Sequence, residues 1–527
     1  MKMVKSLILG SAAGLLAMSG AQAADLPVKA KAVEYVRICS LYGAGFFYIP
    51  GTDTCIKLGG YLRVDTTFNG GPYNGPDWNG DAGQQNRYKD YFATRSRLAL
   101  TVDTRTATEY GVVRTFGQGD FNFTTLGGST YNPASINQTS PVGGVQLLDT
   151  PGNGYVSVEY AFIQFAGFTF GKSSSAYATP WNGYPGNNTS FLIGGNDSVT
   201  GVSNIQYTAQ FGNGVSGTIG LDDPVVFNRT VVANLTIPLT ATGALANAYA
   251  AVHAPDVVGN IRIDQAWGLF QISGALHEVN GSYNVLNTTA APAGATGLAG
   301  AAPTGLSEIS GHPETKWGGS VMAALQIKNI PTGPGDDIKI DASWAKGDTK
   351  NVISTSGGSP SFIMFSGSGA GAYQSIGFGA TTDAVWLPAT AGGDGSLHLT
   401  EAFGVRGAFN HNWDPYWSSS LFGSYSAVRY DGTAKTELCT TFTAARVTNP
   451  SANYSCNPDF NVAMLGVVTR WTPVKNLTFS AEVLWAHLDQ KFTGTATLTP
   501  TAPNPTATYE FKDQDTVSLN VRVQRNF

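Results

Sequence analysis

Charge is scarce in this sequence. Asp, Glu, Lys and Arg together make up 13% of the chain, against about 25% in ordinary soluble domains. The formal net charge is −5 and basic residues do not cluster, which removes the electrostatic footprint of a nucleic-acid-binding protein. Long apolar runs are missing too. Beyond residue 23 no stretch reaches the roughly 20 apolar residues that a membrane-spanning helix needs. Histidine is rare: the six residues His253, His277, His312, His398, His411 and His487 are scattered, no two at the spacing of a paired-histidine metal site, and no CxxC accompanies them. A G-x-S-x-G nucleophile elbow is absent. The fragment GFTFGKS at 167–173 imitates a phosphate-binding loop, but the position that requires glycine holds Ala166, and a Ser-rich loop follows where a helix should. These absences argue against an enzyme, and no cofactor or metal is expected.

What is present begins with an export signal. MKMVKSLILGSAAGLLAMSGAQA carries Lys2 and Lys5, an apolar run from Leu7 to Met18 and then Ala21-Gln22-Ala23. That order is the basic, apolar and A-x-A sequence of a secretory signal peptide, with cleavage expected between Ala23 and Ala24. Losing Lys2 and Lys5 takes the net charge from −5 to −7. The four cysteines fall in two local pairs, Cys39 with Cys55 and Cys439 with Cys456. In an exported chain these read as two disulfides rather than free thiols. Each closes a loop of about 15 residues, worth roughly 3 kcal/mol in chain entropy.

An exported chain without a spanning helix either folds in an oxidising aqueous space or crosses a membrane as strands. The residue pattern favours the second. In CIKLGGYLRVDTTF, Ile56, Leu58, Leu62 and Val64 oppose Lys57, Tyr61, Arg63 and Asp65. In TRSRLALTVDTRT, Leu98, Leu100 and Val102 oppose Arg95, Arg97, Asp103 and Arg105. In the terminal TVSLNVRVQRNF, Val517, Leu519, Val521 and Val523 alternate with Ser518, Asn520, Arg522 and Gln524. Period-two alternation marks strands with one apolar and one wet face. Short turns near 211–217, 410–417 and 470–476 join some strands. Long Gly-, Ala-, Ser- and Thr-rich stretches, about 120–150, 173–200, 280–313, 347–395, 431–459 and 490–506, join others. Roughly sixteen strands result, with 225–265 hard to assign. Short turns alternating with long loops predict an all-β, antiparallel transmembrane barrel, with short periplasmic turns and long external loops, over 24–527. A soluble sandwich would alternate as well, but loops of this length are foreign to it. Aromatic residues at strand ends (Trp413, Tyr416, Trp417 and Trp471) fit an interfacial girdle. A closed barrel also lets the chain stop inside the wall, with Phe527 at the interface, because the last strand pairs with the first.

The stretch CSLYGAGFFYIPGTDTCIKLGGYLRVD, residues 39–65, closely resembles the start of the porin family of alphaproteobacterial outer membranes, and a terminal aromatic such as Phe527 resembles the signal read by the outer-membrane assembly machinery. The resemblance implies a sixteen-stranded barrel in outer-membrane lipid, assembled as a homotrimer, that passes small hydrophilic solutes and ions passively. It also implies that the third external loop folds into the lumen and narrows it. Here that loop matches 172–204, which carries Asp197 and Lys172 in place of an acidic cluster, so a constriction of Asn, Ser and aromatic groups is expected.

On the polar faces, Arg95 and Arg97, with Arg63 and Arg105 nearby, form a candidate basic patch facing that loop, with Asp65 and Asp103 as counter-charges. Fixed charges across a water-filled gap set a transverse field; equally, they can be salt bridges that hold the wall. Tyr177, Trp181 and Tyr184 are either a track for sugars or packing of the loop against the wall. A sugar-selective channel and a barrel that merely anchors adhesive loops remain the alternative readings. The net charge favours cations and the arginine face anions.

Overall fold

A computed structural model of the protein describes residues 37–71, 92–124, 155–181, 183–196, 200–225, 230–241, 245–286, 308–355, 361–366, 374–500 and 505–527. The expected signal peptide with its cleavage site at Ala23 and Ala24, and Asp197 of the loop, lie outside them. Alternation becomes sixteen antiparallel strands in one closed sheet. They are β1 (Cys55–Phe68), β2 (Phe92–Thr108), β3 (Gly111–Thr124), β4 (Tyr155–Phe165), β5 (Phe168–Ser173), β6 (Val202–Gly212), β7 (Val215–Asp222) and β8 (Asp256–Gln265). The second half comprises β9 (Gly268–Val279), β10 (Lys316–Lys328), β11 (Asp337–Lys346), β12 (Glu401–Asn412), β13 (Trp417–Arg429), β14 (Phe460–Val474), β15 (Leu477–Gln490) and β16 (Gln514–Asn526). The segment that the sequence left unassigned divides into a long connection and β8.

Each strand pairs with its neighbours in sequence, and β16 pairs with β1 from Asn526↔Tyr61 to Leu519↔Phe68. Closure leaves the barrel without an edge, so backbone donors and acceptors are paired within the wall. At the seam the Phe527 amide donates to the Gly60 carbonyl at 3.1 Å and the Gly60 amide to the Phe527 carbonyl at 3.2 Å. Gly60 has φ 152°, and a Cβ there would strike the Ala99 carbonyl oxygen, so only glycine fits.

The two faces differ in chemistry and exposure. On β16, Val517 is 51% exposed and Val521 41%, whereas Ser518 is 2% and Asn520 1% exposed. The exposed apolar band continues through Leu62, Leu98, Leu100, Leu421, Leu465, Val467 and Val483. Such an apolar surface is stable only against lipid. Trp417 stacks on Trp471, centroids 5.8 Å apart, and Tyr110, Phe211, Trp267 and Trp413 lie exposed at or beside other short turns, the aromatic girdle expected at an interface.

The rims differ. Two turns carry paired positive φ angles, Ala166 50° with Gly167 87° and Asn213 49° with Gly214 74°, the geometry whose twist suits a tight antiparallel hairpin. The opposite rim holds the long connections, which read as plain loops in the sequence. They fold instead. Helix α1 (Gly432–Arg446), a small sheet of 362–366, 374–379, 495–498 and 507–511 and another of 231–234, 382–386 and 398–399 form a deck at that end. Phe378, Phe442, Phe492 and Phe511 bury one another in it, because apolar side chains spaced among the Gly and Ser residues find a common core. The disulfide Cys439–Cys456 staples this deck, and Cys39–Cys55 ties residues 37–48 to the start of β1 at the short-turn rim.

Candidate functional site: the lumen constriction

The connection between β5 and β6, residues 174–201, does not stay on the rim. It crosses the lumen and is bonded to the far wall. Asn260 on β8 donates to the Ala176 carbonyl at 2.6 Å, and Gln271 on β9 to the Ala178 carbonyl at 2.7 Å. Tyr177 is 1% exposed and packs with Val258, Ala275 and Met322. Trp181 Nε1 donates to the Gly183 carbonyl and Tyr184 Oη to the Ser190 carbonyl. Tyr177 is thus packed against the wall, and the polar atoms of Trp181 and Tyr184 brace the segment internally. The segment's strands end at Ser173 and begin again at Val202, so the crossing segment is slightly shorter than 172–204.

Two arginines clamp its second half. Arg470 on β14 donates through Nη2 to the Gly186 carbonyl at 2.6 Å, through Nη1 to Ser420 Oγ at 2.8 Å and through Nε to Asn188 Oδ1 at 3.3 Å. Glu482 on β15 accepts from the amides of Asn188 and Thr189. Arg406 on β12 is fully buried; its Nε bonds Asp341 Oδ1 at 2.9 Å, and its Nη2 the Asn196 carbonyl at 2.9 Å. Backbone approaches closely here: a Cβ on Gly195 would collide with Asp341 and Arg406. Outside the strands the segment also meets the deck. The Gly194 amide donates to the Val352 carbonyl at 2.9 Å, and Asn196 Nδ2 to Asn351 Oδ1 at 2.7 Å. Asn351 in turn bonds Asp348, whose carboxyl burial pushes up to about 6. Sequence reasoning missed Arg406, Arg470, Glu482 and Asp341. Their place on the polar face was visible; the backbone groups of the crossing segment that Arg406, Arg470 and Glu482 bond were not.

The sequence-predicted residues separate into two groups. On β16, β1 and β2, Asp65 sits between two guanidinium groups, accepting from Arg95 Nη2 at 2.9 Å and Arg522 Nε at 2.5 Å. Arg63 pairs across the seam with Gln524 at 2.8 Å and stands 4.6 Å over the Tyr61 ring. Arg97, directly opposite Arg63 in register, reaches Asp120 at 2.7 Å and Glu159 at 3.7 Å. These residues form a continuous charged band across β16 to β4. Arg105 and Asp103 do not join it. They pair with each other, Asp103 also pairs with Arg114, and Arg105 lies 4.9 Å over Phe46. Ten residues along a strand set Arg105 roughly 33 Å from Arg95, beside the Cys39–Cys55 disulfide. Lys172, at the root of the crossing segment, bonds Thr200 Oγ1 at 3.1 Å.

Beneath the segment lies a cavity of about 500 Å³, lined by hydroxyl and amide groups including Ser174, Thr179, Gln206, Asn260 and Gln271, with Arg262 and Asp264 also in its lining.

The porin-subfamily model matches residues 25–520. The chain belongs to the porin subfamily. Its relatives include Porin Omp2b of Brucella suis, 36% identical over 272 residues, and Porin Omp2a of Brucella melitensis, 35% identical over 276 residues. These matches cover 50% of this chain and 63% and 64% of those relatives' own lengths. Among solved structures, the outer membrane channel DcaP of Acinetobacter baumannii aligns with a TM-score of 0.54 at 14% identity, covering 91% of this chain and 99% of that one; the likeness is one of fold. This porin-subfamily chain is an outer-membrane, multi-pass β-barrel.

Proposed function

We propose that this porin-subfamily barrel is a passive, water-filled diffusion channel for small hydrophilic solutes and ions, working as a homotrimer and needing no cofactor or energy source. One observation carries the reading: residues 174–201 cross the lumen and are bonded to β8, β9, β12, β14 and β15, while a charged band lies on β16 to β4. A constriction between the two would limit size by the position of the segment and sort charge by Arg63, Arg95, Arg97 and Arg522 against Asp65, Asp120 and Glu159. Fixed charges in the wall of a narrow water path set a field that favours polar solutes.

Planar-bilayer recording tests this. Stepwise conductance is expected on reconstitution, and the Arg95→Ala/Arg97→Ala double variant is expected to shift the reversal potential in a salt gradient toward cations. Membranes that stay silent would sink the channel; an unchanged reversal potential would remove these arginines from the filter. The hydroxyl- and amide-lined cavity favours a second reading, a preference for sugars, which would show as current block by added oligosaccharide.

A further inference from the structure

We propose that Asp394, His398 and Glu437, on the deck at the long-loop rim, bind one divalent transition-metal cation of the Zn²⁺ class. The site is separate from the lumen and does not depend on the channel reading. Its three ligand atoms all lie within 4.8 Å of one another. A tetrahedral zinc site with bonds of about 2.0–2.2 Å spaces its ligand atoms roughly 3.4 Å apart, so modest side-chain rotation closes the set. His398 Nε2 is already 3.1 Å from Asp394 Oδ2.

The second observation comes from the other side of the ring. His398 Nδ1 lies 3.0 Å from Asp431 Oδ2. Asp431 is the N-cap of α1, its Oδ1 accepting from the Ala434 amide at 2.8 Å. The helix therefore holds this carboxylate in place, where it can accept the Nδ1–H of His398. With Nδ1 so engaged, Nε2 faces Asp394 Oδ2, and a cation can sit between the two. A ring N–H donated to an outer carboxylate is the arrangement that orients metal-ligating histidines.

The carboxylates are oriented as well. Asp394 Oδ1 accepts from the Ser396 amide at 2.8 Å, leaving Oδ2 toward the ring. Glu437, 7% exposed, accepts from the Asp394 amide at 3.0 Å and the Leu387 amide at 3.2 Å. Each carboxylate oxygen has two lone pairs, so these bonds leave capacity for a metal. The Asp394 side chain is 46% exposed, which gives an entry path from water. Three carboxylates surround the ring, which favours a divalent cation. Bound metal would pin the 387–398 segment to α1, beside the Cys439–Cys456 staple.

The test uses the full chain, purified in detergent without a polyhistidine tag and stripped with EDTA. Co²⁺ serves as a visible probe and Zn²⁺ as its competitor. One Co²⁺ per chain is expected, with absorption bands of a four-coordinate ion that Zn²⁺ abolishes. His398→Ala and Glu437→Gln should lose the bands, and Asp431→Asn should weaken binding 10- to 100-fold. His487→Ala, which alters a histidine paired to Asp515 elsewhere, should change nothing. Unaltered far-ultraviolet circular dichroism and melting of the metal-free chain show that each variant is folded. A lone protonated histidine predicts no bands in any chain; that result, or equal binding by His398→Ala and the parent, overturns the proposal.

Discussion

On the β12 to β15 side of the lumen, Arg406 and Arg470 point their guanidinium groups at carbonyl oxygens of the crossing segment. On the β16 to β4 side, Arg63, Arg95, Arg97 and Arg522 are held by side chains of neighbouring strands. The residue type is the same and the surroundings decide its work. A planar fork with five donors can saturate the carbonyls of a chain that has left its own sheet. On the other wall the same fork is braced sideways by carboxylates of neighbouring strands. The first arrangement builds the obstacle; the second faces it.

Breaking the clamp should have the largest effect. In Arg406→Ala the buried Asp341 carboxylate loses its guanidinium, and removing one partner of a buried pair costs about 3–5 kcal/mol. The variant should melt earlier, and its conductance should rise as residues 192–196 come away from the wall. Arg470→Ala is milder, since it strips no fully buried carboxylate of its guanidinium and Asn188 keeps its bond to Ser480; a wider, noisier open state should appear in single-channel records.

On the opposite wall, Arg95→Ala leaves Asp65 with Arg522, so its melting temperature should fall less than that of Arg406→Ala. A fall equal to that of Arg406→Ala would erase the distinction between the two sides.

The smallest effect concerns pH. The folded pKa of Asp348, about 6, lies above the ordinary carboxyl value of 3.8, with burial as the leading cause. Protonation then favours the folded state: the contribution is fully present below pH 3.8 and is lost as pH rises through about 6. Melting curves between pH 4 and pH 7 should show this slope flattened in Asp348→Asn.

The contrast also marks what a single sequence can reveal. Strand parity was legible at Val517, Leu519 and Val521, the Asn213-Gly214 turn was plain, and the charged band was visible because its partners sit on adjacent strands. Arg406 and Arg470 find theirs 210 and 284 residues away, and alternation carries no information about what crosses in front of a wall. Arg105 was grouped with Arg95 because both share a face; distance along the strand separates them. The deck escaped notice because its aromatic core, Phe378, Phe442, Phe492 and Phe511, is assembled from several connections, none periodic on its own.

The seam at Gly60 and Phe527 has a kinetic consequence. Arg63 and Gln524, which meet there, are 461 residues apart, while Asp103 and Arg114 within one hairpin are 11 apart. Bringing the distant ends together costs about 3 kcal/mol more in chain entropy. Neighbouring hairpins should therefore zip first, leaving a curled ribbon whose two raw margins wait for each other, and the slowest step in making this molecule is the last one, when those margins lock.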